Sequence, residues 1–435
     1  MKIIIKNIFK YTVIFIGVWA LLFMLLVATA KIPKESIKEN LKESVQLFKD
    51  NRGIEMLGSR KEYRYIHYYA DSILLNIIYG IDTTKPVTSV LEAKYYETIR
   101  SDINDDFIEV VEKDLEPNQE YLRYWHGGMS ILRPLLVLFN MEQIYLINKI
   151  MLWILAGALF ILLILKNKKI AFVYALSMVF IAFKYVPMCF EYSWTFYIML
   201  IASILSILFE KHGNSRLYKL FFITGMITCY LDFLTTELIT ILVPILFVIY
   251  IRKEENRITF KETIKFVFVS CALWGVSYIL MWLSKWCIAS IILDINALDY
   301  VKDNLVLRIN GWPKNINSFM MFKEIILMNV TTLYPINVLK PIILRLSSGM
   351  ICMAIIVFLD WKNINKKWFA LVALGIALLP YVRYFILGNH SYYHSFFTFR
   401  TQIVTIIGLS IAILECLNYK LLLKDIKIKK KQQNR

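Results

Sequence analysis

The sequence predicts an all-α polytopic membrane protein with about ten transmembrane helices and helical outer loops. Hydrophobic residues fill 58% of its 435 positions and the mean hydropathy is +0.55, which together exclude a soluble globular domain. Ten mostly apolar segments come close to the ~20 residues that a helix needs to cross a bilayer. They are residues 11–30, 143–165, 170–188, 194–209, 217–231 (marginal), 237–251, 265–283, 343–359, 368–388 and 401–417.

Basic residues gather in alternate gaps between these segments. They precede the first segment and follow the second, fourth, sixth, eighth and tenth. The short gaps that would lie on the opposite side of the membrane hold only Lys184, Arg383 and Arg400. Because lysine and arginine stay on the cytoplasmic side, both termini are expected in the cytoplasm and the chain in the plasma (inner) membrane. The formal charge of +17 is then explained by basic residues at the cytoplasmic helix ends, where they contact anionic lipid head groups. No nucleic-acid partner is expected.

Two long loops fall on the outer side of this topology, residues 31–142 and 284–342, and the chain 1–435 is predicted to be a single membrane domain. The first loop begins with an amphipathic helix pattern over residues 32–50, whose apolar side is expected at the membrane surface. Residues 129–140 are apolar but too few to span, which predicts an interfacial helix there.

Several common cofactor and metal patterns are absent from the sequence. No P-loop, Rossmann glycine pattern, nucleophile elbow or Cys/His metal spacing occurs, and the six cysteines mostly lie in or beside apolar segments. We therefore expect no cofactor and no metal. Any activated donor would already be in the membrane.

Two polar residues of the first loop are candidates for chemistry. Asp71 begins an apolar helix and is either an N-cap or a catalytic carboxylate at the membrane boundary. Arg133 stands inside an apolar run and is either a snorkelling or ion-paired residue or a clamp for a lipid-linked phosphate. Rival outer-face residues are Asp82, Asp102, Asp105, Asp106, Lys184, Asp232 and Glu237.

Histidines in aromatic surroundings form a second candidate group. His126 lies in a Tyr-Trp-His-Gly-Gly run, while His390 and His394 share a helical face shortly before Arg400. They either belong to an interfacial aromatic belt or donate hydrogen bonds to a phosphate or a sugar hydroxyl. We expect one outward cavity to be lined by Asp71, His126, Arg133, His390, His394 and Arg400.

The order of these features resembles the GT-C class of polytopic membrane glycosyltransferases, which use polyprenyl-phosphate-linked sugars. The resemblance covers about residues 120–210, in YWHGGMSILRPLLVLFN, INKIMLWILAGALFILLILKNKK and AFVYALSMVFIAFKYVPMCFEYSWTFYIMLIASIL. It implies a GT-C-like fold, a catalytic carboxylate in the large outer loop and a lipid-linked sugar donor. Asp71 is the candidate carboxylate, and the partners implied are this donor and membrane lipid.

Two other classes of function remain open at this stage. An O-antigen-type polysaccharide polymerase or ligase has a similar topology but relies on outer arginines, here Arg308, Arg345, Arg383 and Arg400. A non-enzymatic transporter or lipid flippase would show inverted repeats and broken helices with polar sites at mid-membrane.

The predicted topology can be tested with reporter fusions placed after residues 100 and 320. Both fusions should report an extracytoplasmic location, because the lysine phasing puts both long loops outside. A cytoplasmic signal at either position would contradict the predicted orientation.

Overall fold

The computed structural model describes residues 2–51, 68–99, 102–310, 318–334, 359–360 and 367–417. In this part of the chain the fold is helical, and paired extended backbone is confined to isolated bridges. The α-helices are α1 (Lys2–Ala30), α2 (Glu35–Asp50), α3 (Tyr69–Tyr79), α4 (Pro86–Glu92), α5 (Ile103–Lys113), α6 (Met129–Leu136), α7 (Met141–Lys166), α8 (Lys168–Phe180), α9 (Phe190–Phe209), α10 (Asn214–Leu231), α11 (Ile239–Glu254), α12 (Phe260–Leu293), α13 (Ala297–Asn310), α14 (Ser318–Thr332), α15 (Trp368–Ile386), α16 (Gly388–Tyr393), α17 (Ser395–Thr398) and α18 (Ile403–Cys416).

Six helical spans in the described ranges are long and apolar enough to cross a membrane. They comprise most of α1, the whole of α7, α9, α12 and α15, and the run Ser395–Cys416 that ends in α18. These spans coincide with the first, second, fourth, seventh, ninth and tenth predicted segments. The structure thus supports a multi-pass helical membrane protein.

The third predicted segment, residues 170–188, is broken into two short pieces. Helix α8 ends at Phe180, Ala182 takes a left-handed φ of 53°, and a 3-10 turn covers Phe183–Met188. Pro187 lies inside this turn and has no N–H to continue a helical ladder. A single straight crossing is therefore not formed here.

The fifth and sixth predicted segments form α10 and α11, of 18 and 16 residues, which are shorter than the other spans. Every residue from Ile239 to Arg252 in α11 is buried. A helix that is apolar all round belongs in a core, and α11 packs among α9, α10, α12 and α18. The eighth segment, residues 343–359, lies outside the described residues except for its last position.

The helices of the first long loop bury their apolar sides against one another. In α2 the side chains of Ile37, Leu41, Val45 and Phe48 are buried, and the helix packs on α5, α6 and α7. The apolar side of α2 therefore contacts other helices, and the location of this helix at the membrane surface stays a prediction. The neighbouring helices cover this apolar side. The periodicity of α2 alone cannot show where those helices lie.

Arg133 lies in α6, an eight-residue helix that is too short to span, as residues 129–140 predict. Its side chain is buried and donates to the carbonyl oxygens of Ile32, at 2.6 Å, and of Ile78. These carbonyls lie just after α1 and at the end of α3, so the guanidinium joins two helix ends. Burial lowers the pKa of Arg133 to about 10.

Replacing Arg133 by glutamine should lower the free energy of unfolding by about 2 kcal/mol, because one buried and one partly buried carbonyl lose a charged donor. Unfolding of the detergent-solubilised protein measures this loss. Arg216→Gln, at an exposed position, is the matched control and should change little. Equal stability of the two variants would contradict the structural role assigned to Arg133.

Candidate functional site

A cavity of about 240 Å³ lies where α3 and the loop after α5 meet the first turn of α9 and the helices α16 and α17. We call it the aromatic pocket, because seven tyrosine and phenylalanine rings line it. The lining residues are Tyr69, Ala70, Ile73, Leu74, Tyr95, Glu97, Ile103, Tyr121, Arg123, Tyr124, His126, Glu191, Tyr192, Phe233, His390, His394 and Phe397.

All three histidines that the sequence selects line this pocket. The rings of His390 and His394 lie 4.7 Å apart, and His394 stacks on Phe397 at 5.2 Å. Nε2 of His126 lies 3.0 Å from the carbonyl oxygen of Tyr121, so it donates there and Nδ1 is left as the acceptor of a neutral ring. The fold thus joins residues from distant parts of the chain.

The loop that carries His126 packs very closely on the ends of two helices. His126 has a left-handed φ of 51°, and the Gly127 N–H donates to the carbonyl of Tyr230 at 2.9 Å. A Cβ on Gly127 would lie 2.4 Å from that oxygen, and a Cβ on Gly128 would lie 2.7 Å from Oε1 of Glu191. Only glycine allows this approach, which explains the His-Gly-Gly sequence.

Glu191 is a buried carboxylate in the first turn of α9 that the sequence reasoning did not select. It lines the aromatic pocket and accepts a 3.2 Å hydrogen bond from the indole of Trp194. The predicted fourth segment began only at residue 194, which placed Glu191 in a loop. An acidic residue beside an apolar segment was the available signal, since such charges are costly and often functional.

Asp71 is fully buried and caps a helix other than its own. Its carboxylate accepts from the hydroxyl of Tyr145 at 2.6 Å and from the backbone N–H groups of Phe190 and Glu191 at 2.7 and 2.8 Å. The Cys189 thiol donates as well, at 3.4 Å. Burial raises the pKa of Asp71, and these hydrogen bonds oppose the rise. Asp71 does not line the pocket, and its role as a base remains a prediction.

Arg123 forms part of the pocket wall and was also not selected from the sequence. Its guanidinium lies 4.3 Å from the ring of Tyr121 and 5.4 Å from that of Tyr124, and it donates to Asn304 Oδ1 at 2.7 Å. In the described part of the chain its buried Nε has no hydrogen-bond partner, and no carboxylate pairs with it. No carboxylate among the described residues therefore neutralises its charge.

A second cavity of about 240 Å³ begins on the other side of Arg123. We call it the α12 groove, since Tyr278, Trp282 and Trp286 line it at helical spacing along that helix. The remaining lining residues are Arg123, Tyr124, Leu234, Ile279, Leu283, Val301, Asn304 and Leu387. Apart from the side chains at its Arg123 end, this groove is apolar, and α12 is one of the helices long and apolar enough to cross a membrane.

A buried ion pair fixes two segments of the pocket wall. Arg383 Nε lies 2.9 Å from Glu237 Oε1, while its terminal nitrogens donate to Ser391 Oγ at 3.0 Å and to the carbonyl of Leu234 at 2.6 Å. These contacts hold α16, which carries His390, against the turn between α10 and α11. Nearby, burial and the charge of Glu237 raise the pKa of Asp232 to about 7.

The remaining predicted residues lie apart from the pocket lining. Arg400 is buried, with its guanidinium 4.9 Å from the ring of Phe399. Asp82 accepts from the Thr84 backbone at 2.8 Å, and Asp102 caps α5 by accepting from Asn104 N–H at 2.9 Å. Among the described residues, no group of three or more His, Cys, Asp or Glu side chains could hold a metal ion.

The fold and cavities define a helical, multi-pass membrane protein with an aromatic polar pocket beside an apolar groove. The sequence matches no known protein family and no curated protein, and the fold matches no solved structure.

The His126 ring should make stability depend on pH. Burial lowers its pKa to about 3 from an ordinary 6.5, with smaller contributions from Lys285 and Arg123. The folded state then excludes a proton that the unfolded state binds, so this stability is complete above pH 6.5 and is lost as pH falls. Because one pKa unit is ~1.4 kcal/mol and the ring is partly exposed, we expect a loss on the order of 1 kcal/mol between pH 7 and 5.5.

Comparing unfolding at these two pH values in the wild type and in His126→Asn measures the effect. Asparagine tolerates the left-handed backbone, so the variant should keep the fold with a smaller pH dependence. His212→Asn, at an exposed histidine, should behave as the wild type. An unchanged pH dependence in His126→Asn would show that His126 is not buried as a neutral ring.

Proposed function

We propose that this protein transfers a glycosyl residue from a polyprenyl-phosphate carrier to an acceptor at the side where the helices of the first long loop pack. The observation that carries the proposal is that Arg123 and Tyr124 are shared by two cavities of opposite character. One cavity is polar and aromatic, and the other is apolar and lies on a membrane-spanning helix. A lipid-linked sugar likewise has a polar sugar at one end, an apolar chain at the other end and a phosphate between them.

In this arrangement the hydrocarbon chain lies along the aromatic side chains of the α12 groove. The phosphate lies at Arg123, whose planar guanidinium suits a phosphate and whose Nε is without a partner in the described structure. The sugar occupies the aromatic pocket, against tyrosine faces and within reach of the three histidines.

The chemistry requires a base for the acceptor and a cation for the leaving group. The acceptor oxygen attacks the anomeric carbon, the bond from that carbon to the phosphate oxygen breaks, and polyprenyl phosphate leaves. We assign the base to Glu191, because its carboxylate lines the pocket, whereas the oxygens of Asp71 are taken up by four donors. Asp71 then positions the first turn of α9, and Arg123 stabilises the departing phosphate.

An O-antigen-type polymerase or ligase is the second candidate, since Arg123 supplies the kind of outer arginine on which that class relies. Of the arginines first considered for it, Arg383 is paired with Glu237, and Arg400 does not line the pocket. The two candidates differ in whether a carboxylate is needed for transfer.

Photolabelling with a photoreactive polyprenyl phosphate tests the site of the carrier. Arg123→Gln should reduce labelling roughly 10-fold or more, because a charge-assisted hydrogen bond is worth about 1.5–3 kcal/mol. Arg216→Gln is the exposed control and should label as the wild type. Labelling of Arg123→Gln at the wild-type level would remove the carrier from this site.

Transfer from a panel of radiolabelled polyprenyl-phosphate sugars to membrane acceptors tests the base. Glu191→Gln should keep carrier labelling but lose about 10²-fold or more of transfer, the usual contribution of a general base. Asp71→Asn should lower thermal stability together with transfer, because it loosens the α9 cap. Full transfer by Glu191→Gln, with labelling retained, would favour the arginine-dependent polymerase or ligase.

A further inference from the structure

A side chain from the second long loop contacts the guanidinium that lines both cavities. Asn304 lies in α13 and lines the α12 groove. Its Oδ1 accepts a hydrogen bond from Nη1 of Arg123 at 2.7 Å, although the two residues are 181 positions apart in the chain. This contact joins the two long loops at the point where the aromatic pocket and the α12 groove meet.

The orientation of the Asn304 side chain is fixed within its own helix. Its Nδ2 donates to the carbonyl of Tyr300 one turn earlier, at 2.9 Å, so Oδ1 is the atom that faces Arg123. The Tyr300 hydroxyl donates to the carbonyl of Glu120 at 3.2 Å, which attaches α13 to the chain close to Arg123. The backbone of Arg123 is held from α12, because the indole of Trp286 donates to its carbonyl at 3.1 Å. Both partners of the contact are therefore anchored.

The contact occupies one end of the guanidinium with a neutral acceptor. Nε and Nη2 share the other edge, and such an edge binds two oxygens of one phosphate in parallel. Nε is buried and has no hydrogen-bond partner in the described part of the chain. The hydroxyls of Tyr121 and Tyr300 also lie near the guanidinium, but they are uncharged like the amide of Asn304. These neighbours orient the guanidinium of Arg123 without neutralising it.

We propose that Asn304 positions Arg123 for the phosphate of the carrier and, because its amide is neutral, preserves the positive charge that attracts this phosphate. This role rests on the proposed function, in which Arg123 stabilises the departing polyprenyl phosphate. Asn304 is a positioning residue, since it acts on the substrate through Arg123. A carboxylate at the same place would pair with the guanidinium and compete with the phosphate for it.

Photolabelling of the full chain with the photoreactive polyprenyl phosphate tests this role. Asn304→Asp should reduce labelling roughly 10-fold or more, as Arg123→Gln does, because the new ion pair takes the guanidinium away from the phosphate. Asn296→Asp is the matched control, since it adds the same charge at an exposed position just before α13. It keeps an oxygen to accept from the Asp299 N–H and should label as the wild type.

Three measurements separate positioning from a purely structural role. Asn304→Asp should melt at or above the wild-type temperature, because its carboxylate pairs with a cation. A photoreactive polyprenol of the same length, which lacks the phosphate, should label Asn304→Asp as it labels the wild type. Asn304→Ala leaves the charge but not the orientation, so it should lower kcat of transfer about 10-fold with a smaller change in KM. A lower melting temperature of Asn304→Asp with loss of polyprenol labelling, or an unchanged kcat in Asn304→Ala, would overturn the proposal.

The double variant Arg123→Gln with Asn304→Asp shows whether Asn304 acts through Arg123. Its labelling by polyprenyl phosphate should equal that of Arg123→Gln alone, because both substitutions act at one contact. Losses that multiply in the double variant, or wild-type labelling by Asn304→Asp while Arg123→Gln loses it, would overturn the role of Asn304 alone. Wild-type labelling by Arg123→Gln would instead remove the carrier from this site and the role of Asn304 with it, so the two failures are distinguishable.

Discussion

The carboxylate of Asp71 closes the N-terminus of α9 from a different helix, and the architecture of the site depends on this contact. The first N–H groups of a helix have no partner within it, and burial beside a membrane makes an unmet donor costly. Asp71 accepts from two of them and from Tyr145 of α7, so α3, α7 and α9 meet at one buried charge. The same contact fixes the backbone of Glu191 at the aromatic pocket.

Charge is distributed around the site in two distinct ways. Arg133 donates to two backbone carbonyls, and Arg383 pairs with Glu237, so their charges serve to hold helix ends and turns together. Arg123 instead lines two cavities, where its guanidinium contacts the rings of Tyr121 and Tyr124 and donates to Asn304. The proposed function places the phosphate of the donor at Arg123 because no carboxylate among the described residues neutralises this guanidinium.

Sequence reasoning selected residues that the fold partly brings together, but it could not assign their contacts. His126, His390 and His394 were chosen from their aromatic neighbours, and the fold gathers them in one pocket. Arg133 was considered as a phosphate clamp or a structural residue, and it donates to carbonyls of two helix ends. Arg123, between Tyr121 and Tyr124, was not selected from the sequence. Contacts between residues far apart in sequence leave no local pattern.

Composition and hydrophobic runs by themselves determined that this chain is a helical membrane protein with its first long loop also helical. They did so because backbone groups in lipid must be satisfied internally, which permits few structures for such long apolar segments. Only the tertiary structure decided that α8 breaks before α9, that α2 is covered by other loop helices, and that Asp71 caps α9. Each of these depends on which surfaces meet first in three dimensions, and segment length and periodicity do not contain that information.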